Sequence, residues 1–128
     1  MESLEKGCEC CQRGEYLEAI AHFDQAIRED VNCSKAWNYR GNALSALRRF
    51  AEALNNYDRA TFLKPNYHQA WFNRGLLLME MGAYGNAIES YDRAIDHYPD
   101  PAYIHARASI GLRKKLVLSP SSFADHFA

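Results

Sequence analysis

Apolar residues recur every three or four positions along most of this chain, which is the spacing of amphipathic helices. Within residues 34–64 one apolar stripe is made by Trp37, Leu44 and Leu47, and a second by Phe50, Leu54, Tyr57 and Thr61. Arg48 separates the two stripes, and Gly14 and Gly82 hold the equivalent places earlier and later in the chain. A glycine there suits the left-handed residue that ends a helix, a conformation that costs Arg48 about 1 kcal/mol. The pattern therefore predicts pairs of helices joined by tight turns.

The helical pairs repeat at an interval of 34 residues. A shift of the sequence by 34 positions brings glycines, aromatic residues and alanines into coincidence three times over. The coinciding sets are Gly7, Gly41 and Gly75; Tyr16, Phe50 and Tyr84; Ala19, Ala53 and Ala87; Phe23, Tyr57 and Tyr91; and Ala26, Ala60 and Ala94. Because repeats of this length are single units that stack on one another, we expect three units, at about 1–33, 34–67 and 68–99.

A glycine stands in the middle of the first helix of each unit, where it is about 1 kcal/mol less favourable than alanine. A cost that recurs at one position indicates a close approach of two backbones, and we expect Ala53 to face Gly41 there. Large aromatic side chains then fill the space between neighbouring hairpins. They are Trp37, Tyr57, Trp71 and Tyr91. Burial of one tryptophan contributes on the order of 5 kcal/mol before entropy, and a lone hairpin cannot bury it, so the hairpins must stack.

The spacing and residue types together resemble the tetratricopeptide repeat family, whose units carry Trp, Gly, a bulky residue, Ala, an aromatic residue, Ala and Pro in that order. In the second unit these are Trp37, Gly41, Leu44, Phe50, Ala53, Tyr57, Ala60 and Pro65, and in the third Trp71, Gly75, Leu78, Tyr84, Ala87, Tyr91, Ala94 and Pro99. The first unit departs from the pattern, with Ser3 in place of Trp and Val31 in place of Pro. The resemblance covers about residues 1–112. It implies an all-α, right-handed solenoid of three helical hairpins plus a C-terminal capping helix.

After Pro99 the repeat pattern loosens. Residues 100–117 or so form one further predicted helix, with Asp100 as its capping residue and the basic residues 113–115 near its C-terminal end. This helix has no second helix in register with the repeat. We therefore expect it to cover the exposed face of the last hairpin.

The sequence predicts one domain at residues 1–118 and a C-terminal tail at residues 119–128. The tail carries Phe123 and Phe127, and it is either disordered or docked on the domain. At the other end, nothing in the sequence covers the first hairpin. This favours either a fragment of a longer chain or self-association through that face.

Arg40 and Arg74 precede the repeat glycine, where the family usually has an apolar residue. We interpret each arginine as the donor of an ion pair or hydrogen bond to a neighbouring helix. Asp58 and Asp92 are the candidate acceptors.

The composition excludes several classes of protein. The chain has 128 residues, 48% of them apolar, and its 15 basic and 16 acidic side chains leave a net charge of −1. Such a balance supplies no basic field for holding nucleic acid. No run approaches the roughly 20 apolar residues that span a membrane, and residues 1–12 carry acids where a signal peptide would be apolar. We therefore expect a cytoplasmic protein without a nucleic-acid or membrane partner.

Cysteine and histidine do not form a metal or catalytic pattern. Cys8 and Cys11 share a helix face while Cys10 points away from it, and Cys33 lies towards the opposite end of the first hairpin, so no zinc site is expected. No histidine is spaced from a cysteine or serine as in nucleophilic catalysis, and no phosphate-binding glycine loop occurs. We therefore expect no enzyme activity, no metal and no cofactor. A metal or redox role for Cys8 and Cys11 is the weakest of the alternatives.

In the tetratricopeptide family the first helix of each hairpin lines the concave face, and five positions of each unit carry most partner contacts. Here they are Leu4, Cys8, Cys11 and Gln12; Lys35, Asn38, Asn42, Ser45 and Ala46; and Gln69, Phe72, Leu76, Met79 and Glu80, with Tyr39 and Asn73 one place further round. The set is nearly uncharged. Family members that bind acidic chaperone tails use a clamp of lysine, arginine and asparagine. The clamp positions here hold Leu4, Cys8, Tyr39, Gln69 and Asn73, so the resemblance does not imply that role.

Phe72, Leu76 and Met79 form an apolar strip that favours a protein partner, bound as a peptide or helix with asparagine amides on its backbone. Three adjacent helices give a groove of roughly 25 Å, about seven residues of extended peptide. The predicted partner-binding residues are Leu4, Cys8, Asn38, Tyr39, Asn42, Phe72, Asn73, Leu76 and Met79. Two alternatives stay open. The chain itself covers the strip, through the tail or the capping helix, or the protein is a structural module that associates with itself.

Overall fold

Seven α-helices make up the described part of the chain, and no strand occurs in it. The structure is a computed structural model that describes the backbone of residues 2–118 and the side chains of residues 2–111. The helices are α1 (Glu2–Gln12), α2 (Tyr16–Glu29), α3 (Ser34–Ala46), α4 (Phe50–Leu63), α5 (His68–Glu80), α6 (Tyr84–His97) and α7 (Pro101–Leu118). None of these helices is long and apolar enough to cross a membrane. The tail predicted at 119–128, with Phe123 and Phe127, lies outside the described residues.

The helices pack as three hairpins followed by a single helix. The hairpins are α1/α2, α3/α4 and α5/α6, and each packs on the next through contacts of α2 with α3 and of α4 with α5. Contacts of α1 with α3 and of α3 with α5 bring the first helices side by side, and α7 packs on α6. The predicted all-α solenoid of three hairpins and a capping helix is confirmed.

Each hairpin turns on one residue in the left-handed conformation. Its φ is +76° at Gly14, +60° at Arg48 and +78° at Gly82, in agreement with the sequence pattern. The backbone N–H of the next residue then reaches back to the preceding helix, as from Arg49 to the carbonyl oxygen of Leu44 at 2.9 Å. This bond satisfies a carbonyl group that the helix end leaves open.

An aromatic ring from the second helix lies over the glycine of the first helix in every hairpin. The three pairs are Gly7 and Phe23, Gly41 and Tyr57, and Gly75 and Tyr91. The rings are buried, with exposed fractions of 0–2%. The expectation that Ala53 faces Gly41 is wrong, because the ring of Tyr57 would lie 2.7 Å from a Cβ atom on Gly41. Tyr57 is one turn beyond Ala53, and helical side chains lean towards the N-terminus, so the ring reaches back over that position.

One tryptophan in each of the second and third hairpins bonds to the loop that connects it to the hairpin before. Trp37 and Trp71 are half-buried, and their indole N–H groups donate to the backbone carbonyls of Val31 and Pro65, both at 2.8 Å. Trp37 also packs against a buried cluster at the junction of α4 and α5. The tryptophans therefore lie between neighbouring hairpins, as predicted.

The predicted arginine bonds to neighbouring helices occur, and they cross from hairpin to hairpin. Arg74 donates to the candidate acceptor Asp58 at 2.7 Å. The acceptor of Arg40 is instead Asp24, at 2.6 Å, and the other candidate, Asp92, accepts from α7. Each arginine also binds a buried polar residue of its own hairpin, as Arg74 does with the hydroxyl of Ser90 at 2.7 Å. One guanidinium group thus joins three helices.

The capping helix α7 enters in the register of a first helix. Its N-terminus is capped as predicted, since the carboxylate of Asp100 accepts the backbone N–H of Ala102 at 2.8 Å. Arg107 donates to Asp92 and so continues the series of arginine–aspartate bonds. Ala108 follows Arg107 in the place where the hairpins have their glycine.

We predict that Gly75→Ala destabilises the domain by about 1–3 kcal/mol, the usual cost of overpacking a core. The new Cβ atom would lie 2.4 Å from the buried ring of Tyr91. Gly85→Ala is the matched control, because Gly85 is an exposed helical position with no atom within 4 Å of an added Cβ. It should be neutral or stabilising by at most about 1 kcal/mol. Urea unfolding followed by circular dichroism measures both, and equal stability of the two variants would contradict the prediction.

Candidate functional site

The helices α1, α3 and α5 form one face of the solenoid, which we call the groove, and it contains two hollows. The first hollow, of about 520 Å³, is lined by Leu4, Glu5, Cys8, Glu9, Gln12, Lys35 and Tyr39. The second hollow, of about 310 Å³, is lined by Asn42, Ser45, Ala46, Tyr57, Asn73, Leu76, Leu77 and Glu80. Most of the residues predicted to bind a partner line these two hollows.

Asn38 lies within the wall of the groove rather than on its surface. Its side chain is only 2% exposed, and its amide nitrogen donates to the hydroxyl of Tyr67 at 3.2 Å. Its amide oxygen accepts a hydrogen bond from Asn73, also at 3.2 Å. Burial raises the pKa of Tyr67 to about 12, so this hydroxyl keeps its proton near neutral pH. Asn38 therefore orients Asn73, and both of its polar atoms are used inside the fold.

Asn42 and Asn73 bring amide groups to the second hollow. The hydroxyl of Tyr57 donates to the amide oxygen of Asn42 at 2.6 Å, and burial raises the pKa of Tyr57, which keeps that donor protonated. The bond leaves the amide N–H groups of Asn42 available. Asn73 donates one amide N–H to Asn38, and its carbonyl oxygen remains an acceptor for a ligand. The second hollow thus offers both a donor and an acceptor, the two groups that an extended peptide backbone needs.

The apolar strip of α5 is covered at one end by the chain itself. The ring of Phe72 stacks on Tyr103 of α7 with centroids 4.3 Å apart, and it lies 5.4 Å from the ring of Tyr91. Met79 is half-buried against the core beneath α7. Leu76 stays open, with 38% of its surface exposed. Phe72 therefore belongs to the junction with α7, and Leu76 is the apolar contact that the second hollow presents.

The first hollow combines apolar and weakly polar side chains. Leu4 is buried, while Cys8 and Tyr39 are partly exposed. Burial, and after it the carboxylate of Glu5, raises the pKa of the Cys8 thiol. Burial is also the largest cause of the raised pKa of Tyr39. Both groups are neutral near pH 7 and serve as contact surface rather than as charges.

Two glutamates in the groove were missed from the sequence. Glu5 and Glu9 line the first hollow beside Lys35, and Glu80 lines the second. The expectation of a nearly uncharged groove is therefore wrong along α1. Glu5 and Glu9 directly follow the predicted contacts Leu4 and Cys8 in the sequence, and they are four residues apart. They therefore lie on one face of α1 next to those contacts, and this spacing was the signal available in the sequence.

The four cysteines are free thiols and do not converge on one point. Among the described residues, Cys10, Glu15 and Glu18 bring one ligand atom each within 4.8 Å of one another. Cys10 is buried, whereas both carboxylates are exposed and Glu15 lies 3.6 Å from Arg13. Three such donors fall short of the four that close a structural zinc site, and Cys8 and Cys11 take no part in the group.

Cys8 should alkylate more slowly than a cysteine of the unfolded chain, because its raised pKa lowers the thiolate fraction near neutral pH. Its rate with iodoacetamide should keep rising at pH values where that of the unfolded chain has levelled off. Peptide-resolved mass spectrometry between pH 7 and about 10.5 measures both rates. The urea-unfolded chain is the reference, and a midpoint at or below its own would contradict the prediction.

Known proteins place this arrangement in a family. The family model described as tetratricopeptide repeat matches residues 4–53 and 40–102. No curated protein sequence matches the chain. The Sgt2 TPR domain from Aspergillus fumigatus is similar in structure, with a TM-score of 0.86 at 24% identity over 91% of this chain and 79% of that one.

Two similar structures contain a peptide. The first TPR domain of Spaghetti (RPAP3), bound to the HSP90 peptide SRMEEVD, has a TM-score of 0.84 at 23% identity, over 88% of this chain and 90% of that one. The second TPR domain of human RPAP3, in complex with the HSP70 peptide SGPTIEEVD, has a TM-score of 0.80 at 19% identity, over 85% and 92%. The family match spans most of the described residues and agrees with the hairpin fold. The chain belongs to the tetratricopeptide repeat family.

Proposed function

We propose that this chain is a non-catalytic interaction module that holds a segment of another protein in the groove. The observation that carries the proposal is the second hollow, where exposed Leu76 lies beside the amides of Asn42 and Asn73. The internal hydrogen bonds fix both amides before a ligand arrives, which lowers the entropy lost on binding. The expected cytoplasmic location and the absence of a cofactor stay predictions.

The fold supports this mode of binding. Two domains of the same fold, both from RPAP3, hold short chaperone peptides. What we carry over to this chain is the mode, a short peptide segment held by the domain, and not the chaperone ligand.

The structure refines the roles of the predicted contact residues. We assign Asn38 to the orientation of Asn73, and Phe72 to the junction with α7. The side chains proposed to touch the partner are those that line the two hollows, Leu4, Cys8, Tyr39, Asn42, Asn73 and Leu76. Met79 packs against the core instead. The proposed contacts run from α1 across α3 to α5 and so follow the groove from one end to the other.

Self-association through the first hairpin has less support. A specific interface buries roughly 1,000 Å² or more and has an apolar centre. On α1 and α2, the one large apolar side chain that is exposed among the described residues is Leu17. Exposed polar side chains of these two helices include Lys6, Glu18 and Gln25. The first hairpin therefore presents a largely polar surface, without the apolar centre that a self-association interface needs.

Leu76→Gln should weaken binding of a groove ligand about tenfold or more, because it removes an apolar contact that the bound ligand would bury, worth about 1.5–3 kcal/mol when the side chain is fully covered. The probes are nonapeptides selected on the wild-type protein from a random display library. Phe62→Gln is the matched control, since Phe62 is 74% exposed on α4 and does not line either hollow. Fluorescence anisotropy gives the affinities. Peptides that lose binding to the Phe62 variant but not to the Leu76 variant would overturn the assignment to the groove.

The peptide SRMEEVD should not bind this chain with a Kd below about 1 mM, or −4 kcal/mol. The positions that would clamp its carboxylates hold Leu4, Cys8, Tyr39, Gln69 and Asn73, and Lys35 is the one basic residue lining either hollow. Isothermal titration calorimetry measures the affinity, with the RPAP3 domain as the positive control. A micromolar Kd for this chain would refute the prediction.

A further inference from the structure

The groove carries more negative than positive charge. Glu5, Glu9 and Glu80 line its two hollows, and the single basic lining residue is Lys35. All three glutamates are exposed to solvent. One lysine against three carboxylates leaves a net charge of −2 in the two hollows, in a protein whose whole sequence sums to −1.

These three carboxylates are also unpaired within the described residues. None of them forms an ion pair with a described lysine or arginine, whereas glutamates elsewhere do so, such as Glu52 with Arg49 at 2.7 Å. Lys35 forms no ion pair in the described residues either, although it lines the same hollow as Glu5 and Glu9. Glu9 interacts electrostatically with Arg13 at longer range, but no described lysine or arginine forms an ion pair with the three glutamates of the groove.

The surroundings strengthen the effect of these charges on a ligand. The hollows are lined in part by apolar side chains, including Leu4, Leu76 and Leu77, and their occupation by a peptide would remove water from around the carboxylates. Attraction between opposite charges grows as the local dielectric constant falls. An acidic peptide in the same place would meet repulsion at both hollows.

We propose that the groove selects a basic peptide, in which lysine or arginine side chains flank apolar anchors. This rests on the proposed function, since it names the class of ligand for the same groove. The basic side chains bind Glu5 and Glu9 at one end and Glu80 at the other, and apolar side chains between them contact Leu76 and the first hollow.

The fold sets the spacing of the two basic positions. Glu9 is on α1 and Glu80 is on α5, with α3 between these two helices. At about 8–10 Å from one helix axis to the next, the two carboxylates are separated across the groove by roughly 16–20 Å. An extended chain covers this distance in about five or six residues. The selected peptides should therefore carry basic residues about five or six positions apart.

The test is a selection of random nonapeptides on the wild-type protein, followed by affinity measurements on the best binder. The charge variant is Glu5→Gln/Glu9→Gln/Glu80→Gln, which keeps side-chain size and removes three charges from the groove. The matched control is Glu18→Gln/Glu89→Gln/Asp96→Asn, which removes three exposed charges that line neither hollow. Circular dichroism establishes that both variants keep the helix content of the wild type.

We expect the enriched peptides to be basic, and the best one to bind the charge variant about tenfold or more weakly and the control within about twofold. Raising the salt from about 50 to 200 mM should weaken wild-type binding more than binding to the charge variant. Enriched peptides that are neutral or acidic, or equal affinity for the charge variant, would overturn the inference. If neutral or acidic peptides are enriched and their binding still depends on Leu76, the proposed function stands and only the preference for basic peptides is overturned. Failure to enrich any Leu76-dependent peptide would instead overturn the function itself.

Discussion

The stacking of an aromatic ring on a backbone that lacks a side chain holds this molecule together. In each hairpin a buried ring at the position of Tyr57 or Tyr91 lies where a Cβ atom would otherwise be. The contact sets how closely two helices of a hairpin approach, because neither a bulkier partner nor a looser one fits a close-packed core. Three equal contacts give three equal hairpins. The first helices consequently line up on one face, and the groove exists because that spacing is uniform.

Polar contacts between hairpins determine how each hairpin is positioned on the one before it. The arginines of α3 and α5 each bind an aspartate of the hairpin before them, and the tryptophans at 37 and 71 bind backbone carbonyls across the same junctions. Polar bonds of this kind have stricter geometry than apolar contacts and so define the register of one hairpin on the next. The register in turn brings Asn38 and Asn73, which are 35 residues apart, within hydrogen-bonding distance. The wall of the groove is thus a product of the stacking.

Periodicity made the helices, their turns and the stacking predictable, because it reports local backbone preference and the burial of one helix face. It does not report which of two residues on that face makes a given contact, and Ala53 was chosen where Tyr57 lies. The burial of Asn38 and the stacking of Phe72 on Tyr103 depend on neighbours 29 and 31 positions away. Glu5 and Glu9 were passed over because the family positions select Leu4 and Cys8 beside them. The helices and their stacking follow from local sequence patterns, whereas the site depends on contacts between residues that are distant in the sequence.

The dipeptide Arg107-Ala108 distinguishes α7 from the first helices of the hairpins. Arg107 binds Asp92 as its counterparts bind theirs, so α7 docks like any first helix. Ala108, however, adds a methyl group where Gly41 and Gly75 have a hydrogen atom. A ring laid flat across α7, as Tyr91 lies across α5, would meet that methyl group and incur the cost of overpacking. The two sides of α7 therefore differ: one docks on α6 through the usual arginine bond, and the other is a less favourable place for a further helix.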